Sequence, residues 1–133
     1  MSKIFQLSEA VSLALHSMVL IAQADKMLNV NQIAEFTGAS KNHLAKILQR
    51  LVKEGFLKAN RGPTGGYLIK KKPEEITLAN IYVCIEGPIE SEGCPMGKTV
   101  CPFDRCIMSN VIGKMSQKFN EYLNNTTLKD FIS

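Results

Sequence analysis

Two short helices separated by a tight turn, in the first half of the chain, constrain the fold more than any other feature of the sequence. Asn29 can cap a predicted helix over residues 30–37, and Gly38 suits the left-handed residue that ends a helix. Ser40 can then cap the next helix, over residues 41–54. Two helices joined by a glycine-containing turn are typical of a helix-turn-helix.

The second helix of this pair is apolar on one face and polar on the others. Its apolar residues recur at three- and four-residue spacing, which predicts a buried stripe. The polar faces carry groups that donate hydrogen bonds to base edges and phosphates, as a DNA recognition helix does. A helical hairpin with a solvated polar face is the alternative. The buried stripe consists of Leu44, Ile47, Leu48, Leu51 and Val52.

Two strand-like segments come directly after this helix, over residues 56–60 and 67–70, and a glycine-rich sequence connects them. Glycines permit the positive φ that a hairpin turn requires, and Pro63 fixes a bend. A hairpin directly after a recognition helix is a wing, and Arg61 at its tip could enter a minor groove. The predicted DNA-binding residues are Ser40, Lys41, Asn42, His43, Lys46, Arg50, Arg61, Gly62 and Thr64.

The distribution of charge supports this interpretation. Residues 41–72 contain nine basic residues and one acid, Glu54, for a net charge of +8, whereas the remainder of the chain carries −4. Such segregation indicates a polyanionic partner, although a solvated basic surface is the alternative interpretation of charge alone. Together with the two helices and the wing, the charge favours double-stranded DNA as the partner.

Three further helices are predicted. The first spans residues 7–24, another begins after Thr77 and ends at Gly87-Pro88, and the last spans residues 107–124. A chain of this length has little left to cover the apolar stripe of the last helix, so we expect a homodimer in which a second copy covers it. That stripe consists of Met108, Val111, Ile112, Met115, Phe119 and Tyr122. The fold class is therefore mainly α, with a small β-hairpin wing and a long carboxy-terminal dimerisation helix.

No apolar run approaches the ~20 residues that a membrane span requires. Glu9 and His16 interrupt the apolar stretch near the start of the chain, so no signal peptide is predicted. We therefore expect a cytoplasmic protein without a membrane partner. Thiols in the cytoplasm stay mostly reduced, so clustered cysteines there bind metal or take part in redox chemistry more often than they form disulfides.

Three of the four cysteines lie within thirteen residues, as Cys94-x6-Cys101-x4-Cys106. Structural zinc sites usually contain a tight Cys-x2-4-Cys knuckle, which this loop lacks. An iron–sulfur cluster can be held by cysteines further apart, but a cluster with only cysteine ligands requires four. The fourth ligand must then come from elsewhere. Zinc and unmetallated thiols remain open at this point, and Cys84 is predicted to be a small core residue.

These patterns favour a DNA-binding transcription regulator controlled by a metal or cluster at the cysteine loop, and the resemblance described below implies a repressor whose operator binding is controlled by an iron–sulfur cluster. A zinc- or thiol-gated winged-helix repressor is one alternative. A small iron–sulfur carrier or electron-transfer protein is another, although its +8 segment would have no purpose. An enzyme is not expected, because spacing singles out no Cys-His-Asp or paired-carboxylate arrangement.

The sequence resembles the bacterial winged-helix iron–sulfur transcription regulators typified by IscR, NsrR and RsrR. The resemblance covers nearly the whole chain and implies a homodimer in which the long carboxy-terminal helices exchange contacts. It also implies that Cys94, Cys101 and Cys106 hold a 2Fe–2S or 4Fe–4S cluster that senses redox state, nitric oxide or cluster supply. The matching segments are Ala14–His16, Ser40–Lys46, Arg61–Tyr67, Glu75–Leu78, Glu86–Pro88 and the cysteine loop.

The same resemblance implies that the first helix of the other subunit lies close to the cluster. The NsrR pattern has an aspartate ligand where this sequence has Ser12, and the IscR histidine three residues after the third cysteine is Ser109 here. His16 matches a histidine of RsrR and is the first candidate for the fourth ligand, with Glu9 the second. The gaps of six and four residues also depart from the commoner pattern of five and five, in which the first gap can be slightly longer.

Together these features predict two regions. Residues 1–75 would form the winged helix-turn-helix DNA-binding domain, and residues 76–133 the cluster-binding and dimerisation region.

Overall fold

The structure is a computed structural model that describes residues 7–88 and 102–132. The described part is mainly helical with one two-stranded antiparallel hairpin, which confirms the predicted fold class. In chain order the elements are α1 (Glu9–Gln23), α2 (Val30–Thr37), α3 (Lys41–Lys53), β1 (Leu57–Asn60), β2 (Gly66–Ile69), α4 (Leu78–Glu86) and α5 (Val111–Asn125). Short 3-10 helices lie at Pro73–Glu75 and Leu128–Phe131.

The turn between α2 and α3 has the predicted geometry. The Asn29 side chain accepts from the backbone N–H of Gln32 at 2.9 Å, and the Gln32 side chain accepts from the Asn29 N–H, which completes a capping box. Gly38 ends α2 with a φ of 74°. The Ser40 hydroxyl accepts from the His43 N–H at 3.2 Å and caps α3. These caps fix where each helix begins and therefore how the two helices are spaced.

One hydrophobic core joins α1, α2, α3, α4, β1 and the end of α5, together with Leu128. The predicted stripe of α3 is confirmed, with Val52 partly buried and the other four residues buried. The inner face of α1 differs from a simple stripe, because α1 packs against α2, α3, α4 and β2 and so buries Leu13 and Ser17 as well. Leu7 precedes α1, which begins at Glu9 after the Ser8 cap.

The hairpin is extended by a third segment. β1 and β2 pair in the register Leu57 with Ile69 and Asn60 with Gly66. Leu28, between α1 and α2, exchanges two backbone hydrogen bonds with Tyr67 and so ties the wing to the helix-turn-helix. A Cβ at Gly66 would lie 2.7 Å from the Leu28 carbonyl oxygen, so this close backbone approach requires glycine.

The carboxy-terminal part of the chain returns to the start of α4. Leu78 donates its N–H to the Thr126 carbonyl and Leu128 to the Ile76 carbonyl, and the Leu128 side chain is buried. The predicted start of the last helix at residue 107 is wrong. Ser109 and Asn110 have φ values of 51° and 60°, which a right-handed helix excludes, and α5 begins only at Val111.

The two faces of α5 have different surroundings. Phe119 packs edge-on against Tyr82 of α4, with ring centroids 5.8 Å apart, and Leu123 is buried. Val111, Met115 and Tyr122 lie on an adjacent face and are exposed, Met115 by 41%. The predicted stripe is thus divided between contacts inside the chain and an open surface, which we call the α5 stripe: Val111, Met115 and Tyr122.

Among the described residues, none of the helices has the length and apolarity needed to cross a bilayer. The division of the chain at residues 75 and 76 stays a prediction.

Candidate nucleic-acid interface and cysteine site

The outward face of α3 carries a row of polar side chains. Asn42, Lys46, Gln49 and Lys53 are exposed, and their three- and four-residue spacing places them on one side of the helix, opposite the buried stripe. Lys41 lies exposed in the first turn. Sequence reasoning did not select Gln49 as a site residue, although its spacing from Asn42 and Lys46 gives the signal that would have found it.

The wing borders this row. A cleft of about 590 Å³ lies between α3, the start of α2 and the hairpin, and it is lined by Gln49 and Val52, by Asn29 and Val30, and by residues 59–62 and 65–67. Arg61 and Gly62 are therefore brought beside the outward face of α3, and Thr64 is exposed at the turn. Gln49 of α3 and Arg61 of the wing, an amide and a cation from two elements, thus border the same cleft.

Two of the predicted DNA-binding residues lie at the flank of α3 instead. His43 Nδ1 lies 3.9 Å from Glu9 Oε1 at the start of α1, although neither side chain is buried. Arg50 donates from Nε to the backbone carbonyl of Cys84 in α4, at 3.0 Å. Residues 43 and 50 are seven apart, two helical turns, so both project from α3 on the side that meets α1 and α4.

The two cysteines that the structure describes, Cys84 and Cys106, differ in burial. Cys94 and Cys101 lie outside the described residues. Cys106 is a free thiol and only partly buried, ahead of the start of α5, so it fits the role of a metal or cluster ligand. In the part of the chain that the structure describes, no three residues of the metal-binding types form a group.

Cys84 has the surroundings of a core residue, as predicted. Only 9% of the residue is exposed. Burial raises the pKa of the Cys84 thiol, and the Glu54 carboxylate raises it further, while Arg50 acts in the opposite direction. A buried thiol with a raised pKa is less often present as the thiolate and therefore reacts more slowly as a nucleophile.

This difference predicts the order of chemical modification. In metal-free protein near neutral pH, Cys84 should react with iodoacetamide at least about tenfold more slowly than the other three cysteines, since the thiolate is the reacting form. Mass mapping of alkylated peptides over time measures the four rates. Alkylation of Cys84 as fast as Cys106 would contradict the burial and the raised pKa.

The two candidate fourth ligands lie on α1. Nδ1 of His16 donates to the Ser12 carbonyl at 2.6 Å, because a carbonyl can only accept. In a neutral ring this leaves the lone pair on Nε2, the atom that would bind a metal. His16 is exposed at the rim of an apolar cavity of about 310 Å³ that also touches Leu15, Val19 and Phe131. Glu9, whose side chain is also exposed, lies nearer the start of α1.

Contacts at the end of α4 were missed by sequence reasoning. The Ser8 hydroxyl donates to the Glu86 carboxylate, 78 residues further along the chain, and the Arg50 contact with Cys84 spans 34 residues. Nothing in local spacing signals either contact, since each depends on how α1, α3 and α4 pack together.

Comparisons with known proteins agree with this arrangement. The family model Rrf2, described as "Iron-dependent Transcriptional regulator", matches residues 7–133. IscR of Serratia proteamaculans, a transcriptional regulator, is 31% identical over 102 residues, which cover 76% of this chain and 62% of that protein. IscR of Yersinia enterocolitica is 28% identical over 130 residues, covering 97% and 75%. The matched region thus spans less than two thirds of the Serratia relative.

Solved structures show the same fold. CymR of B. subtilis, the "Global Cysteine Regulator", superposes with a TM-score of 0.75 at 25% identity, covering 96% of this chain and 95% of that one. IscR of T. potens gives a TM-score of 0.73 at 25% identity, covering 96% and 85%.

Proposed function

This chain belongs to the Rrf2 family of transcriptional regulators, and we propose that it binds a double-stranded DNA operator as a homodimer under the control of an iron–sulfur cluster at its cysteine loop. The observation that carries the DNA-binding part is the row of polar side chains on α3 beside the wing. Relatives in this family are transcriptional regulators and not enzymes, and the same holds for this chain.

The proposed interface uses both elements. Lys46 lies at the centre of the outward row, where an ammonium group can neutralise a phosphate, and Asn42 beside it has the amide that can read a base edge. Arg61 lies at the wing, where a guanidinium group suits a narrow minor groove. Lys41 and Thr64 would contact backbone phosphates, together with the backbone at Gly62. The Ser40 hydroxyl caps α3, so its share in DNA contact is through the helix start that it fixes.

Substitution of these residues should separate two kinds of contact. Arg61→Ala should weaken operator binding by about 1–3 kcal/mol and relax preference at flanking A·T positions. Lys46→Ala should weaken binding to all duplexes alike and lower the salt slope by about 1. Fluorescence anisotropy titrations at several salt concentrations measure both effects.

A matched control is Lys129→Ala, which removes one positive charge from outside the helix-turn-helix and the wing. It should change affinity much less than Lys46→Ala does. If Arg61→Ala and Lys46→Ala both bind the operator with wild-type affinity, the proposed docking of α3 and the wing on DNA is wrong.

The cluster proposal rests on the thiol set. Cys94, Cys101 and Cys106 would supply three ligands, and Nε2 of His16 from the other subunit the fourth, with Glu9 as the second choice. When bound, a 2Fe–2S or 4Fe–4S cluster supplies electron exchange and a site for attack by oxidants or nitric oxide. An exposed His16 on α1 is available to a neighbouring subunit, which supports its choice over the buried Cys84.

Control by the thiols themselves is the second candidate, and the free, partly exposed thiol of Cys106 favours it. A zinc-gated form belongs to the same alternative. Anaerobic purification followed by iron and sulfide analysis distinguishes cluster control from this alternative. A cluster gives stoichiometric iron and sulfide with a visible absorption band, whereas zinc or free thiols give neither. The small electron carrier that the sequence left open has no support from the family assignment.

A further inference from the structure

One side chain of α3, which we call the recognition helix, donates a hydrogen bond to the end of α4. Arg50, in the last turn of α3, donates from Nε to the carbonyl of Cys84, 3.0 Å away. The last carbonyls of a helix have no partner within it, and they lie at the negative end of the helix dipole. Arg50 therefore caps α4 from another helix, through a charge-assisted hydrogen bond.

This cap lies just before the segment that leads toward the cysteine loop. Cys84 is in the last turn of α4, which ends at Glu86, and Gly87-Pro88 then continues toward Cys94 in the sequence. Any displacement of the loop that moves the end of α4 thus acts directly on Arg50.

A second connection reaches the other end of the recognition helix. The Ser8 hydroxyl at the start of α1 donates to the Glu86 carboxylate, and the next residue, Glu9, lies 3.9 Å from His43 in the first turn of α3. The side chains of Glu9 and His43 are 75% and 41% exposed and their atoms lie 3.9 Å apart, so this contact is weak. The Arg50 contact is the more direct of the two connections, because it joins α3 to α4 without an intervening element.

From these contacts we infer that Arg50 is a positioning residue, which relays the state of the cysteine loop to the recognition helix by capping α4. The inference rests on the proposed control of DNA binding by that loop. Arg50 lies at the flank of α3, whereas Lys53 in the same last turn lies in the outward row with Asn42, Lys46 and Gln49. The two cations thus have separable roles: Lys53 faces the DNA side, and Arg50 holds α4.

The test compares operator affinities of cluster-loaded and cluster-free full-length protein, at one salt concentration, in wild type and two variants. An allosteric coupling of ordinary size gives the wild type a ratio of roughly 5- to 150-fold between the two forms. Arg50→Ala should bring this ratio close to one while iron content and the dimer are retained. Lys53→Ala is the matched control and should weaken both forms equally, leaving the wild-type ratio.

Arg50→Lys provides a second test should Arg50→Ala fold poorly. It keeps the positive charge but removes the Nε donor and the planar guanidinium fork, so the ratio should fall between those of wild type and Arg50→Ala. A wild-type ratio retained in Arg50→Lys and in folded Arg50→Ala would overturn the role of Arg50 alone. A ratio of one in the wild type would instead overturn control by the loop, and with it any relay through Arg50.

Discussion

Met115→Asp should convert the dimer into a monomer. Met115 lies in the middle of the α5 stripe and is 41% exposed in a single chain, so a partner subunit would bury it. A carboxylate at that position would lose its hydration on association without gaining a cation, which costs several kcal/mol in an apolar interface, roughly enough to raise the dissociation constant a thousandfold. Sedimentation velocity at micromolar concentration measures the mass directly.

Gln117→Asp is the control for this substitution. Gln117 is exposed on the opposite side of α5 and donates to Glu121 on that face, so a new charge there should leave the dimer intact. Phe119→Asp is a poorer probe, because Phe119 packs against Tyr82 within the chain and its loss would destabilise the fold itself. An intact dimer in folded Met115→Asp would show that the α5 stripe is not the interface.

Cys101→Ala should abolish the cluster and, with it, the difference in DNA affinity between loaded and cluster-free protein. Three thiols and one weaker ligand hold the cluster in this account, so the loss of one thiol leaves too few ligands. Affinity for the operator should shift by roughly 5- to 150-fold, to the value of the cluster-free wild type. Iron and sulfide analysis, the visible spectrum and an operator titration measure the three consequences.

Cys84→Ala is the matched control, since Cys84 is buried and its thiol has a raised pKa. It should keep the cluster and the wild-type response to cluster loss. A Cys101→Ala protein that still holds stoichiometric iron and sulfide would remove Cys101 from the ligand set, and a folded Cys84→Ala protein that loses them would assign Cys84 to it.

Local signals in the sequence predicted most of the helix-turn-helix and the wing. Caps act over three or four residues, so Asn29, Gly38 and Ser40 marked their helix ends correctly. The three- and four-residue spacing of apolar residues in α3 was sufficient to predict its buried stripe, because one face of that helix meets the core and the other meets solvent. The charge of +8 over residues 41–72 indicated a polyanionic partner, which helix periodicity alone cannot reveal.

Features that depend on packing between distant segments were not predictable. The last helix was predicted from residue 107 instead of Val111, because the apolar spacing continues through Ser109 and Asn110 although their positive φ breaks the helix. The burial of Ser17 results from the packing of α1 against several elements at once, which a single apolar stripe does not describe. The contact between Arg50 and Cys84 depends on the meeting of α3 with α4.

The same distinction between local features and contacts of distant segments applies to the candidate site. The spacing of Cys94, Cys101 and Cys106 left an iron–sulfur cluster, zinc and free thiols open, and the cluster stays a prediction, since Cys94 and Cys101 lie outside the described residues. The fourth ligand is not local, since it would come from another subunit. The hydrogen bond that orients His16 is visible only in the folded helix, where the carbonyl one turn earlier accepts from Nδ1.

The most direct measurement of control by the cysteine loop is a titration of one operator duplex with cluster-loaded and cluster-free wild-type protein, anaerobically and at the same salt concentration. Control by the loop predicts dissociation constants that differ by roughly 5- to 150-fold. Equal constants for the two forms would contradict it, whatever metal the loop holds.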